Sequence, residues 1–81
     1  IDRIDGELAS YVTVLADRSL ERAREAEAEI ARGFWRGPLH GVPIALKDNI
    51  ESADGTATTA GSLALADNVT NRDAPLVRRL T

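Results

Sequence analysis

The hydrophobic positions along the chain divide it into short elements of different period. Ile1, Ile4 and Leu8 recur at spacings of three and four, which predicts a helix end weakened by Gly6. Tyr11-Val12-Thr13-Val14-Leu15 is a β-branched and aromatic run, apolar on both faces, and predicts a strand covered on both sides. Asp17 reads as an N-cap and Arg18 to Arg32 as a helix, with Leu20, Ala23, Ala26 and Ile30 forming a narrow apolar stripe. Gly33 is its expected C-cap. The other faces carry opposite charges three residues apart: Arg18/Glu21, Arg22/Glu25, Arg24/Glu27 and Glu29/Arg32. Such pairs solvate a helix rather than anchor it.

Residues 34 to 41 read as a connecting loop. Val42-Pro43-Ile44-Ala45-Leu46 follows, and Pro43 is tolerable only at a strand start or edge, so a strand is expected over about Ile44 to Lys47. Asp48-Asn49 should end it. Residues 52 to 62 are small and polar, a loop by composition. Asp73 is expected to cap a last helix with Pro75 in its first turn and Leu76, Val77 and Leu80 on its buried face. No repeat and no linker interrupts the sequence, so residues 1–81 form one unit with no internal boundary.

Composition narrows the function. Ten basic against 13 acidic residues give a net charge of -3, which argues against a nucleic-acid binder, since counterion release needs a basic face. No apolar run approaches the length of a membrane span. The lack of Cys excludes a disulfide scaffold and a thiolate metal site, and a single His makes an all-protein zinc site improbable. Absence of Cys is compatible with either redox compartment, leaving cytoplasm only as a default. With three aromatic residues and abundant alanine, an 81-residue chain is poorly equipped to build its own core. Self-sufficiency is therefore not expected.

Lys47 is the lone lysine beside nine arginines. Arginine is effectively always charged, whereas a desolvated lysine can give up its proton, so Lys47 is the plausible basic catalyst. Its expected place is the carboxyl end of a strand, where open α/β sheets hold ligands. The plainer reading is a surface lysine paired with Asp48 or Glu51. Ser10, Ser19, Ser52 and Ser62 supply hydroxyls, but none lies in a G-x-S-x-G elbow and no Ser-x-x-Lys pair exists. Ser62 reads as a loop or helix cap, and His40 as a loop residue satisfied by the backbone. The Gly/Thr/Ser stretch lacks the order of a phosphate-binding loop.

The gapless segment Gly37-Pro38-Leu39-His40-Gly41-Val42-Pro43-Ile44-Ala45-Leu46-Lys47-Asp48-Asn49-Ile50, then Thr59-Ala60-Gly61-Ser62 and Asp73 to Leu80, resembles the N-terminal part of an amidase signature family enzyme. The resemblance covers nearly the whole chain. It implies an α/β fold with a mixed β-sheet covered by helices on both faces, of which this chain is only an N-terminal portion. It also implies a Ser–cis-Ser–Lys hydrolase of carboxamides that needs no cofactor and no metal, with Lys47 as the base acting through a serine in a cis peptide bond. Both family serines and the oxyanion hole belong to a Gly/Ser-rich segment that has no match here, so none of the four serines inherits a role. The implied partners are a small amide substrate and the remainder of the amidase domain. Alternatives are the amidase subunit of a tRNA-dependent amidotransferase and a non-catalytic interaction fragment.

Overall fold

The architecture comes from a computed structural model that describes all 81 residues. Its elements run α1 (Asp5–Leu8), α2 (Ala16–Ala31), a 3₁₀ turn (Leu63–Leu65) and α3 (Pro75–Leu80). Helix α2 dominates. It begins one residue before Asp17: the N-cap is Leu15, and Asp17 lies in the first turn, where its charge complements the helix dipole rather than capping an N–H. The C-terminus closes as Gly33 suggested. With Arg32 at the C-cap, the Gly33 N–H donates to the Ile30 carbonyl at 2.9 Å and the Phe34 N–H to the Glu29 carbonyl at 2.9 Å. These are the paired bonds of a Schellman turn, and Gly33 supplies the required positive φ of 81°.

The expected strands do not form. Residues 10 to 15 and 44 to 47 belong to no sheet, and the single β-contact is an isolated antiparallel bridge between Ala57 and Val69. The reason is the lack of ladder partners. Ile44, Ala45 and Leu46 donate no backbone hydrogen bond, and both segments leave apolar side chains open: Val12 is 74% and Ile44 48% exposed. A β-branched run specifies a surface that fits a sheet, but the sheet needs neighbouring chain to exist.

Elsewhere the sequence reading holds in outline. The first apolar triplet gives the single turn α1, with Ile1, Ile4 and Leu8 all exposed. Pro75 opens α3 as expected, but Asp73 does not cap it; the N-cap is Ala74, and the Asp73 carboxylate instead accepts the Ala53 N–H at 2.6 Å. Of the predicted buried face, Val77 is buried, Leu80 is half-buried and Leu76 is exposed.

Only Ala26 and Val77 are buried, so no layered core exists. The radius of gyration is 14.5 Å, against about 12 Å for a compact domain of this length. The chain is a slab of 45 × 31 × 18 Å held mainly by local turns and polar bonds.

Candidate functional site

Lys47 lies at the end of the extended segment, exposed and directly before a tight turn closed by an Ile50 N–H to Lys47 carbonyl bond of 2.9 Å. It forms no ion pair. Both carboxylates expected to pair with it are engaged elsewhere. Glu51 accepts two bonds from the Arg72 guanidinium, at 2.7 and 3.0 Å, and the hydrogen bond and charge of Arg72 hold its carboxyl below the usual range.

Asp48 is bound across the loop to Thr59. One carboxylate oxygen accepts the Thr59 N–H at 2.9 Å and the other accepts the Thr59 hydroxyl. The Ala60 N–H adds a 2.9 Å bond to the Asp48 carbonyl. The Thr59 hydroxyl, then its N–H, keeps the Asp48 carboxyl below its ordinary value, because each bond favours the ionised form. The Thr59 oxygen in turn accepts the Gly61 N–H at 3.2 Å. Ala60 and Gly61 sit at φ of 50° and 74°, so the chain turns sharply beneath the carboxylate. The conformation of the backbone just after Lys47 is therefore set by a loop eleven residues downstream.

A second cluster joins the end of α2 to the following loop. Glu29 receives the Arg36 guanidinium at 2.6 Å and contacts His40 Nε2 at 2.9 Å, while the Arg36 N–H reaches His40 Nδ1 at 3.3 Å. Arg36, followed by the opposing effect of partial burial and then by His40, leaves the Glu29 carboxyl below its usual range. Arg36 also lies over the Phe34 ring, 5.8 Å from its centroid. The His40 side chain is only 6% exposed. His40, expected as a loop residue satisfied by the backbone, does take the Arg36 N–H, but its other ring nitrogen meets an acid: the Schellman turn folds the chain back and brings Glu29, eleven residues earlier, onto the ring. Of the four anticipated helix pairs only Arg22–Glu25 forms, at 2.7 Å. Arg18 reaches across to the Asp54 carbonyl instead.

The serines are scattered. Ser19 lies exposed within α2, Ser10 is exposed beyond α1, and Ser52 is half-buried, its carbonyl accepting the Thr70 hydroxyl at 3.5 Å. Ser62 stands at the N-cap of the 3₁₀ turn, as its reading as a cap suggested, but its side chain makes no capping bond. No cluster of three His, Cys, Asp or Glu side chains converges as a metal ligand set would, and no helix is long and apolar enough to cross a membrane. A groove of about 720 Å³ runs between α2, the loop through His40 and α3; Lys47 does not line it.

Lys47 is exposed, makes no ion pair and sits in the segment that carries the family resemblance. The chain belongs to the amidase family: the family model matches residues 1–81. Among curated relatives, a glutamyl-tRNA(Gln) amidotransferase subunit of Moorella thermoacetica is 49% identical over 80 residues, covering 99% of this chain and 16% of that protein. The putative amidase AmiD of Mycobacterium bovis is 44% identical over 80 residues, 99% of this chain and 17% of the relative. The corresponding amidotransferase subunit of Dechloromonas aromatica is 45% identical, with 99% of this chain and 16% of that protein covered. The chain thus spans 16–17% of the length of these relatives. No solved structure matches it.

Proposed function

We propose that the complete protein hydrolyses a carboxamide C–N bond to a carboxylate and ammonia or an amine, and that Lys47 is its general base. In this reading residues 1–81 are the N-terminal portion of a single amidase-signature domain of the α/β class, and the runs at 10–15 and 44–47 join a mixed sheet once neighbouring strands cover them. The observation that carries the reading is the Gly37 to Asn49 segment, in which the lysine of the family motif has no carboxylate within ion-pair distance. A carboxylate salt bridge would favour the ammonium and oppose proton abstraction.

The chemistry follows from that placement. Lys47 accepts a proton through a serine in a cis peptide bond, which in turn takes one from the nucleophilic serine; the alkoxide attacks the amide carbon. The proton returns by the same path to the departing nitrogen. Water, deprotonated through the same relay, then cleaves the acyl-serine ester to release the carboxylate and restore the serine. Both serines and the backbone donors for the oxyanion come from the rest of the domain. No cofactor is required.

A second reading, as the amidase component of a tRNA-dependent amidotransferase, is favoured by the relative of 49% identity that bears that name. It uses the same base to release ammonia from glutamine for a partner. The test is ammonia release from simple carboxamides and from glutamine by the complete enzyme and by Lys47→Ala. The variant should lose roughly 10²–10⁴-fold in kcat on whichever substrate the enzyme prefers. Undiminished turnover in Lys47→Ala would sink the assignment.

A further inference from the structure

We propose that Thr59 is a positioning residue for Lys47: by donating both its N–H and its hydroxyl to Asp48, it keeps that carboxylate off the neighbouring lysine and fixes the turn that orients it. The proposal rests on Lys47 being the base. Its own support is geometric.

Asp48 is the residue directly after Lys47 and so the acidic residue nearest to it in sequence. Left with water alone, its carboxylate would be drawn toward the ammonium. It is instead occupied at both oxygens by one residue, at 2.9 Å from the N–H and through the hydroxyl. Two further bonds make this a clamp rather than a contact. The Ala60 N–H holds the Asp48 carbonyl at 2.9 Å, and the Gly61 N–H holds the Thr59 oxygen at 3.2 Å. Together with the Ile50 to Lys47 turn bond, they fix the backbone on the carboxyl side of Lys47, whereas the preceding residues Ile44 to Leu46 donate no backbone bond. The lysine's position is thus set from one side, by loop 59–61.

Glu51 is the other nearby acid on the same segment, and Arg72 occupies it in the same manner. The two acidic neighbours are removed from Lys47 by different devices, one a hydroxyl and one a guanidinium. The hydroxyl device is the better test, because it can be deleted without changing any charge.

In the complete enzyme, Thr59→Val keeps the N–H bond and the β-branched shape but removes the hydroxyl. It should lower kcat about tenfold or more while KM stays within about twofold, since a misplaced base costs turnover rather than binding. Thr59→Ser restores the hydroxyl and should recover at least about half of the parental kcat. Thr59→Ala likewise keeps the N–H bond and removes the hydroxyl, so it should lose kcat as Thr59→Val does, and it decides the matter if Thr59→Val fails to fold. Parental kcat in Thr59→Val or Thr59→Ala, a Thr59→Ser variant as impaired as Val, or a loss confined to KM would each overturn the proposal. Lys47→Arg separates it from the reading beneath it. An inactive Lys47→Arg beside a fully active Thr59→Val removes only the role of Thr59, whereas an active Lys47→Arg removes the base and this role with it.

Discussion

Residues 16 to 41 and residues 42 to 47 are adjacent in the chain and opposite in how they hold their shape. The first stretch satisfies itself: α2 makes its own ladder, Gly33 closes it, and Glu29, Arg36 and His40 tie the returning loop to its last turn. The second stretch is extended, apolar and without backbone donors in use from Ile44 to Leu46. The candidate base stands at the end of that second stretch. The difference shows what each kind of sequence can do alone. A helix needs only itself, whereas a two-sided strand needs a sheet, and the catalytic candidate has been placed on the element that depends on the rest of the domain.

The largest consequence is for the isolated chain. With two buried residues and Val12, Trp35 and Leu63 at 74, 66 and 95% exposure, it lacks the apolar burial that would offset chain entropy. Purified residues 1–81 should show no cooperative thermal transition and should aggregate or stay unfolded, apart from residual helix in α2. A sharp, reversible transition for the monomer would mean that the extended runs need no partner.

A smaller effect separates two glycines of the self-satisfied region. Gly33 and Gly41 both have φ of 81°, so a side chain at either one incurs the left-handed penalty of about 1–2 kcal/mol. Only at Gly41 would a Cβ also meet an atom, the Ala26 Cβ at 3.2 Å; at Gly33 the space is open. In the complete protein, Gly41→Ala should therefore lower Tm more than Gly33→Ala. Equal losses would show that the Ala26 contact adjusts freely and that the loop is not packed against α2.

The smallest effect is the acid dependence of the clamp beside the second region. The Asp48 carboxyl is depressed by the Thr59 hydroxyl and N–H. A depressed carboxyl contributes stability that is fully present above its unfolded value of about 4 and is lost as pH falls through the folded value. Thr59→Val removes the larger cause, so the complete protein should lose less stability than the parent between about pH 5 and pH 2. Thermal unfolding across that range measures it, and parallel curves for parent and variant would show that the hydroxyl bond adds nothing.

The same contrast explains what could be read from the sequence. Helix α2, the Gly33 turn and Pro75 at the start of α3 were legible because their causes lie within one or two turns of chain. Asp17 and Asp73 were misjudged as caps because a side chain that can cap has other uses. Leu15 took the N-cap of α2, and the Asp73 carboxylate went to the Ala53 N–H. The strands were predicted from pattern, and pattern states what a segment would bury without supplying the partner. At the site, the Lys47-Asp48-Asn49 segment stood out through its lone lysine and its family resemblance. The bonds of Asp48 to Thr59 and of Glu29 to His40 did not, because each spans eleven residues and depends on a turn whose closure had to be seen. A carboxylate facing a Thr-Ala-Gly turn was the available signal for the first; for the second, the Gly33 turn itself implied that the loop comes back over Glu29.

The most direct test of the central claim is the activity of Lys47→Arg in the complete enzyme, with folding checked by circular dichroism. Arginine keeps the positive charge and the long stem but does not give up its proton at working pH. A base is then lost while an electrostatic or structural lysine is replaced. If Lys47 is the base, amide hydrolysis should be nearly as damaged as in Lys47→Ala, roughly 10²-fold or more below the parent. Activity within about threefold of the parent, well under 1 kcal/mol of barrier, would contradict it and take Lys47 out of the mechanism.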